Sequence, residues 1–353
     1  METAYCSTQS RGVLTMFAFC LVVILLSQTD AMMHCKEKSL TQRFLDFALE
    51  QKRAYITNET EFQRRCDIFQ ANLAHAQVLN KPHNSTIYGV NKFADLSSQE
   101  FQDLYLSGYK SARWHKNASD ASQYLGSQMV VLPPDGLPQR VDWRDKKVVT
   151  PIRDQKACGA CWAFSVVETM ESMYAIQYNT TPPSLSVQEL IDCDDNNKGC
   201  EGGDICLATR WAQANGVVSE SKYPLTDHTD SCKKVPASVP RVAVDSYNCT
   251  SYTGKEKSML ALLASRGPIA VAVDASTWHN YVSGIIQFHC SNLINHAVQI
   301  VGYDLTGEIP YYIVRNSWGS DFGDHGYLYI KIGDNLCGLA DEVSSLLVKE
   351  KTR

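Results

Sequence analysis

The N-terminal part of the chain carries hydrophobic residues at the spacing of an amphipathic helix. No glycine or proline occurs between residues 39 and 80, and Leu40, Phe44 and Ala48 recur at the helical spacing. A second helix is predicted after Asn58, because one helix face carries a stripe formed by Glu61, Arg65, Phe69, Asn72, Ala76 and Asn80. That stripe also fits an ordinary amphipathic helix with one Glu–Arg pair. The period-two alternation over residues 88–95 predicts a short strand.

The rest of the chain divides into a linker, a helical half and a strand-rich half. Residues 110–135 are polar and irregular and end in two prolines before Gly136, so we expect an exposed linker and a domain boundary there. Beyond it, periodicity predicts helices over residues 161–178, 186–191 and 205–215. Runs of β-branched and aromatic residues predict strands over residues 268–273, 296–303, 311–315 and 327–332. The pattern indicates a helical lobe beside a strand-rich lobe, with a cleft between them.

Composition and charge narrow the class of protein. The chain has 353 residues, of which 44% are hydrophobic, and this length allows about two domains. Its 33 basic and 38 acidic residues leave a net charge of −5, so we expect no nucleic-acid partner. The 13 cysteines are many for a cytosolic protein and favour an oxidising compartment.

The first residues have the pattern of a secretory leader. An apolar run covers residues 13–26, shorter than the ~20 residues of a spanning helix, and the small residues Thr29 and Ala31 follow it. We expect a signal peptide over residues 1–31, with an uncleaved anchor as the alternative, and no stable membrane insertion elsewhere. Candidate glycosylation sequons occur at Asn58, Asn84, Asn117, Asn179 and Asn248. The last is the weakest, because the adjacent Cys249 is a candidate for disulfide bonding.

The candidate chemistry centres on Cys161, which begins a predicted helix. The N–H groups and the dipole at a helix N-terminus stabilise a thiolate. A thiolate nucleophile needs a base and a group that orients the base. The candidates are His296, at the start of a predicted strand, and Asn316, at the end of another. The alternative is a redox or zinc-binding pair formed by Cys158 and Cys161. It is disfavoured because no second ligand pair at zinc spacing follows and no βαβ pattern surrounds the pair.

At these residues the chain resembles the papain-like cysteine peptidases. The segment Cys158-Gly-Ala-Cys161-Trp162 matches the family's active-site signature. The helical stripe that ends at Asn80 is similar to the first propeptide motif of the family, with Ala76 where isoleucine is commoner. The family's second propeptide motif is matched in this chain by Gly89, Asn91, Phe93 and Asp95. Residues 142–146, 163–167 and 312–320 resemble one member of the family in particular.

The resemblance implies a fold and a division into domains. It implies an α+β, papain-like two-lobe fold with a helical left lobe and a β-barrel-like right lobe, preceded by a helical inhibitory propeptide. The signal peptide would then be followed by a propeptide over residues 32–136 and a mature peptidase domain over residues 137–353.

The resemblance also implies roles for individual residues. Cys161 is similar to the nucleophile, His296 to the base and acid, and Asn316 to the group that orients the imidazole. Trp318 would cover the Asn316–His296 hydrogen bond, and Gln155 would donate to the oxyanion with the Cys161 backbone N–H. No metal or organic cofactor is implied.

Disulfides and substrate contacts follow from the same resemblance. It pairs Cys158 with Cys200, Cys193 with Cys232, and Cys290 with Cys337, and it leaves Cys206 and Cys249 either as a fourth bridge or as buried thiols. The substrate backbone would bind along Gly202 and Gly203. The matching lining of the pocket for the residue two positions before the cleaved bond would be Asp204, Ile205, Ala272, Ile294 and Glu342.

Two of these pocket residues are acidic. Glu342 at the pocket floor and Asp204 at its mouth lead us to expect tolerance for arginine beside hydrophobic side chains. The alternative is that Glu342 points to solvent.

The expected function is therefore that of a lysosomal or secreted cysteine endopeptidase, made as a zymogen and acting through a thioester acyl-enzyme. Its expected partners are protein or peptide substrates, its own propeptide and cystatin-type inhibitors. Two alternatives remain: a non-catalytic binding or inhibitory protein, and an exopeptidase on the same scaffold. An exopeptidase needs an insertion that closes one end of the cleft, and no long insertion with a His pair stands near the helical lobe.

Overall fold

The computed structural model describes residues 38–106, 108–111 and 136–351. The expected signal peptide, the sequon at Asn117 and most of the expected linker lie outside these described residues. The chain forms two compact units, which meet in sequence between Ala71 and Asn72.

The first unit is helical, as the sequence predicts. Helix α1 spans Lys38–Glu50, a 3-10 turn follows at Ala54–Thr57, and helix α2 spans Glu59–Asn80 and continues into the second unit. Aromatic rings form its core, since the ring of Phe44 lies 4.9 Å from that of Phe62.

The predicted Glu–Arg pair is present on the surface of α2. Glu61 accepts a hydrogen bond of 2.6 Å from Arg65 and one of 2.9 Å from Arg64. The hydrogen bond from Arg65 is the largest cause of the lowered pKa of Glu61.

The second unit contains the remaining α-helices. A short helix α3 at Ser98–Phe101 is closed by a capping box between Ser97 and Glu100. The others are α4 (Cys161–Tyr178), α5 (Val187–Cys193), α6 (Ile205–Asn215) and α7 (Glu256–Arg266). Among the described helices, none is long and apolar enough to cross a bilayer.

A single sheet holds the described strands of the second unit. The strands are β1 (Arg140–Asp142), β2 (Val217–Val218), β3 (Arg241–Thr250), β4 (Ile269–Val273), β5 (Ile285–Ile286), β6 (His296–Asp304), β7 (Tyr311–Arg315), β8 (Tyr327–Lys331) and β9 (Val343–Lys351). Their order is β2-β3-β9-β4-β6-β7-β8-β5, and β1 pairs with β6. Helix α4 packs against β6 and β9, which places its first residue, Cys161, beside the start of β6.

The α+β fold is confirmed, but its strand-rich part is an open sheet. The described strands have two edges, β2 and β5, and do not close into a barrel. The predicted strands correspond to β4, β6, β7 and β8. The sequence pattern does not predict α7, β3 or β9. Strand β3 carries Asp245 and a bulge between Val244 and Ser246, which interrupt the alternation on which such a prediction relies.

The predicted strand over residues 88–95 is wrong. Only Tyr88 forms a β-bridge, with Tyr281. The chain then turns, because the Asn91 side chain accepts a hydrogen bond of 2.9 Å from the backbone N–H of Phe93 while its amide donates to the Tyr281 carbonyl. An asparagine that bonds the backbone two residues on favours a turn over an extended strand.

Four disulfides join the described cysteines of the second unit. Three are the pairs implied by the family resemblance: Cys158–Cys200, Cys193–Cys232 and Cys290–Cys337. The fourth joins Cys206 and Cys249, so these two are not free thiols. Cys161 is the free cysteine of the described part of the chain, and it is buried.

A buried ion pair connects α4 to the end of β7. Arg315 is fully buried, and its guanidinium lies 3.1 Å from a carboxylate oxygen of Glu168. It also donates hydrogen bonds to the Thr150 hydroxyl, at 3.1 Å, and to the Pro151 carbonyl, at 2.8 Å. Burial raises the pKa of Glu168 to about 7, although Arg315 and then Arg153 act to lower it.

We expect Arg315→Met to lower the free energy of unfolding of the full chain by about 3–5 kcal/mol, because it leaves Glu168 buried without its cation. Urea unfolding measures this. Adding Glu168→Leu to the variant should recover part of the loss, since the unpaired carboxyl is then gone. Lys349→Met, which breaks an exposed pair with Asp245, serves as the control and should cost less than about 1 kcal/mol. Equal losses for the two single variants would contradict a structural role for the buried pair.

Candidate active site

Cys161 lies at the first position of α4, where backbone N–H groups are free to bind an acceptor. The backbone N–H groups of Ala297, of Trp162 and of Cys161 itself face the sulfur and act to lower its pKa. Burial has the larger effect and raises the pKa of Cys161 to about 12. In this state of the protein the thiol therefore keeps its proton.

His296 opens β6 and is oriented by Asn316, which follows β7. The His296 Nε2–H donates to Asn316 Oδ1 at 2.8 Å. His296 Nδ1 is buried and has no hydrogen-bond partner among the described residues, so this tautomer leaves it as the proton acceptor. Burial lowers the pKa of His296 to about 4, and the Asn316 hydrogen bond acts in the opposite direction.

Two tryptophans enclose the imidazole. Trp318 stacks on the His296 ring with 4.6 Å between centroids. Trp278 meets the same ring edge-on at 6.0 Å. No motif around Trp278 marks it in the sequence, because the turn that carries it reaches His296 only through the fold. Together the two rings pack around the imidazole, and both His296 and Asn316 are buried.

Gln155 lies in the same buried site. Its side-chain amide donates to the Cys158 carbonyl at 3.0 Å, and its Oε1 accepts a hydrogen bond from the Ser317 hydroxyl at 2.5 Å. The amide has a second N–H, which is available to another acceptor. These contacts fix Gln155 close to the N-terminus of α4.

Residues 108–111 lie along Gly203, with which Tyr109 forms an isolated parallel β-bridge. The Gly203 backbone N–H donates to Gly108 O at 2.8 Å, and the Lys110 N–H donates to Gly203 O at 2.9 Å. A Cβ on Gly203 would lie 2.6 Å from the Trp162 ring, so a glycine is required for this close approach. Gly202, which precedes Gly203, has a φ of +119°, a backbone conformation that favours glycine.

The side chain of Tyr109 occupies the predicted pocket. Tyr109 is buried, and it belongs to the same hydrophobic cluster as Ile205, Ala272 and the half-buried Ile294. Burial, followed by the charges of Asp204 and Glu342, raises the pKa of Tyr109 well above its usual value. The sequence pattern did not single out Tyr109, since nothing local shows that this residue reaches the cleft.

The structure buries both acidic residues that the sequence assigned to the pocket. Glu342 is only 2% exposed, so the alternative in which it points to solvent is wrong for this state. Asp204 is fully buried and caps α6, whereas we expected it at the pocket mouth. The Ser111 hydroxyl donates to Glu342 Oε2 at 2.9 Å.

Within the described residues, one group has the spacing of metal ligands: Asp204, Glu342 and Cys206. The Cys206 sulfur is bonded to Cys249, so it is not the thiolate that a soft metal ion requires. The group therefore does not fit a zinc site.

The segment before residue 108 packs on the sheet next to the site. The Asn80 side chain accepts hydrogen bonds from the backbone N–H of Ile87 and Tyr88, at 2.9 and 3.0 Å. Phe93 meets Trp318 edge-on at 5.6 Å, and the Lys92 ammonium donates to the Trp318 carbonyl. Both propeptide-like motifs thus contain residues that hold this segment against the candidate site.

Family models match most of the chain. Residues 137–347 match the papain family cysteine protease model, and residues 44–101 match the cathepsin propeptide inhibitor domain (I29) model. The first range contains the whole candidate site, and the second contains both motifs of the preceding segment.

Relatives and solved structures agree with these matches. Cathepsin O of Mus musculus is 44% identical over 292 residues, which cover 81% of this chain and 91% of the relative. Cathepsin O of Homo sapiens is 41% identical over 293 residues, which cover 81% of this chain and 88% of the relative. This confirms the expected likeness to one family member, which is cathepsin O.

Digestive procathepsin L2 proteinase of Tenebrio molitor superposes with a TM-score of 0.75 at 31% identity, covering 87% of this chain and 99% of that one. A recombinant stem bromelain precursor gives a TM-score of 0.72 at 31% identity, covering 88% and 99%.

We expect Cys161 of the intact chain to react slowly with iodoacetamide at pH 6–8, because its raised pKa leaves almost no thiolate. Tyr109→Ala should increase the rate of labelling by at least about tenfold, since it admits water to the pocket beside the sulfur. Peptide mass analysis measures the labelling, and Tyr178→Ala, at an exposed tyrosine, is the control. Equal labelling rates for Tyr109→Ala and the parent chain would show that Tyr109 does not protect the thiol.

Proposed function

We propose that this chain, which belongs to the papain family of cysteine proteases, is an endopeptidase whose Cys161, His296 and Asn316 act as a catalytic triad. The observation that carries the proposal is the junction of α4 and β6. There the Ala297 N–H faces the Cys161 sulfur while the adjacent His296 is bound to Asn316 at 2.8 Å. This arrangement supports the proposed roles of Cys161 as nucleophile, His296 as base and Asn316 as the amide that orients the base.

In the proposed reaction the Cys161 thiolate attacks the carbonyl carbon of the scissile bond. The oxyanion that forms accepts hydrogen bonds from the Cys161 backbone N–H and from the Gln155 side-chain amide. The carbonyl re-forms as the C–N bond breaks, and the His296 imidazolium protonates the leaving amine. Water then loses a proton to the neutral imidazole and attacks the thioester, which releases the acid and returns the proton to the Cys161–His296 pair.

The intact chain holds this pair in its unreactive form. The thiol with a pKa of about 12 and the imidazole with a pKa of about 4 are both neutral between these values. Burial is the main cause of both shifts, so hydration of the cleft should move each pKa back toward the charged pair that the reaction needs. Removal of residues 108–111 from Gly203 would produce that hydration.

The propeptide inhibitor domain makes the chain an autoinhibited precursor that acts on proteins or peptides once released. Residues 108–111 take the main-chain hydrogen bonds of Gly203 that an extended substrate would use. We place the signal peptide at residues 1–31, the propeptide at 32–136 and the mature domain from residue 137. We favour an endopeptidase over an exopeptidase, because the sequence has no long insertion to close one end of the cleft.

The proposed location is the lysosome, with secretion as the alternative. Both fit the four disulfides, which persist in an oxidising compartment. Asn58, Asn84 and Asn179 are exposed and able to carry glycans, whereas Asn248 lies within β3 beside the bonded Cys249.

Cystatin-type inhibitors are proposed as partners, since they would enter the same cleft. The pocket is proposed to accept arginine as well as hydrophobic side chains, through Glu342.

Cys161→Ser and His296→Ala should each abolish peptide hydrolysis by the acid-activated chain, because each removes a reacting group. Gln155→Ala should lower kcat by ~10²-fold to 10³-fold with little change in KM, since it removes one oxyanion donor. Turnover of a fluorogenic peptide measures both effects, and Gln139→Ala, at an exposed glutamine of the mature domain, is the control. Substantial turnover by Cys161→Ser would rule out the proposed peptidase chemistry.

Acidification should activate the precursor, and we expect protonation of His83 to contribute to this activation. His83 has no hydrogen-bond partner among the described residues and lies 6.3 Å from the ring of His289 and 5.2 Å from that of Phe288. Burial, and then the charge of His289, lower the pKa of His83. A group whose pKa falls on folding binds fewer protons in the folded state, so the closed form loses stability as pH drops through the ordinary histidine pKa near 6.5.

We therefore expect His83→Phe to move the pH midpoint of activation to lower pH by a few tenths of a unit or more. Activity is measured after incubating the full chain over a pH series. His228→Phe, at an exposed histidine, should leave the midpoint unchanged. A full-length chain that is stable and fully active without processing would contradict the zymogen proposal itself.

A further inference from the structure

A lysine of the segment before residue 108 is bound by three groups that the proposed hydrolysis does not use. The Lys92 ammonium lies 2.8 Å from a carboxylate oxygen of Asp321 and 3.4 Å from one of Asp154, and it also donates to the Trp318 carbonyl. The Lys92 side chain is only 13% exposed. Lys92 belongs to the proposed propeptide, whereas its three acceptors belong to the proposed mature domain. Activation would therefore uncover an arrangement of acceptors that already fits one ammonium group.

Contacts within the mature domain hold these acceptors in place. Asp154 and Trp318 face each other in an antiparallel β-bridge. Asp154 Oδ1 accepts a hydrogen bond of 2.8 Å from the Lys156 backbone N–H, and Asp154 Oδ2 is the oxygen that faces the bound ammonium. None of these contacts involves the propeptide, so we expect them to persist in the mature enzyme.

A glycine makes the space in which the ammonium lies. Gly319 has a φ of +79°, a left-handed conformation that favours glycine. A Cβ at this position would lie 2.7 Å from Asp321 Oδ1 and 3.1 Å from both Asp154 Oδ2 and Lys92 Nζ. The two carboxylates and the cation approach one another around Gly319 because it has no side chain.

The two carboxylates share Lys92 as their cation. Within the described residues, the salt bridges of Asp154 and Asp321 both go to Lys92. The ammonium of Lys156, the nearest basic residue along the chain, lies 2.5 Å from Asp227. Loss of the propeptide would therefore leave two neighbouring carboxylates without their cation, and such a pair attracts a positive group from a ligand.

The site lies next to the groups that handle the leaving amine. Asp154 directly precedes Gln155, and the Trp318 ring stacks on the imidazole of His296. In the proposed reaction His296 protonates the leaving amine, so the part of the substrate after the scissile bond departs past this imidazole. The part before the scissile bond is proposed to bind along Gly203. The acceptors around Lys92 therefore border the leaving-group side of the cleft.

Resting on the proposed peptidase function, we propose that Asp154, Asp321 and the Trp318 carbonyl form a binding site for a substrate lysine on the leaving-group side of the scissile bond. Lys92 fills this site in the precursor, and the side chain of the substrate takes its place in the mature enzyme. An ammonium has three N–H donors, one for each acceptor, whereas the donors of a guanidinium lie in a planar fork. The site therefore favours lysine over arginine as well as over uncharged side chains.

The test uses internally quenched peptides that carry lysine, arginine, norleucine or glutamate at each of the first three positions after the scissile bond. The full chain is activated by acid, mass analysis verifies the loss of Lys92, and kcat/KM is measured at one pH. At one of the three positions we expect lysine to exceed norleucine by about threefold to tenfold, the effect of two partly exposed ion pairs. Arginine should lie between them, and glutamate should be cleaved most slowly.

Ionic strength gives a second measurement on the same peptides. The Asp154 and Asp321 side chains are 37% and 62% exposed even with Lys92 bound, so salt reaches both charges. The ratio of lysine to norleucine should therefore fall as salt is added, whereas kcat/KM for the norleucine peptide should change little.

Asp321→Lys is the decisive variant, because it reverses a charge at an exposed position. The preference for lysine should disappear, and the glutamate peptide should become a better substrate than the lysine peptide. Asp321→Asn should reduce the lysine preference without reversing it. Asp245→Lys, at an exposed aspartate on β3, is the matched control and should leave all the ratios unchanged.

Two results would overturn the inference: equal cleavage of lysine and norleucine peptides at all three positions, or an intact lysine preference in the Asp321→Lys enzyme. Either would show that the acceptors bind only the propeptide. Failure of the proposed function would look different, since the parent enzyme would cleave none of the peptides and Cys161 would stay unlabelled in the acid-treated chain.

Discussion

The ion pair between Arg315 and Glu168 is the constraint on which the geometry of the site depends. Glu168 lies on α4, the helix that begins with Cys161, and Arg315 directly precedes Asn316 at the end of β7. The pair therefore sets the distance between the element that presents the sulfur and the element that orients His296. Because both charges are fully buried, neither can leave the pair without a large desolvation cost. Two parts of the chain far apart in sequence are thus kept in one arrangement.

Autoinhibition uses the same burial that shapes the site. The backbone bonds at Gly203 hold Tyr109 in the pocket, and the surrounding packing excludes water from Cys161 and His296. Exclusion of water favours the neutral forms of both groups, so the proposed latency is chemical as well as steric. In this proposal the precursor is inactive without any displacement of Cys161 or His296, because burial alone keeps both groups neutral.

The pocket that Tyr109 occupies brings together residues that are distant in sequence. The carboxylate oxygens of Asp204 and Glu342 lie within 4.8 Å of each other, and the Cys206–Cys249 disulfide lies beside them. This bond joins the first turn of α6, which Asp204 caps, to β3, which pairs with β9 next to Glu342. The covalent link therefore stabilises the part of the fold in which the two buried acids meet the apolar pocket residues.

Much of this protein follows from its sequence alone. Local patterns determine the helices that begin at Lys38, Glu59 and Cys161 and the buried strands β4, β6 and β7, because periodic burial needs no distant partner to be recognised. The signature around Cys161, with His296 and Asn316 downstream, predicts the proposed chemistry. Only the tertiary structure decided that residues 88–95 turn, that Cys206 bonds Cys249, that Trp278 meets His296 and that Tyr109 fills the pocket beside Glu342. Each of these is a contact between segments far apart in the chain, and its energy depends on packing and burial that no local pattern records.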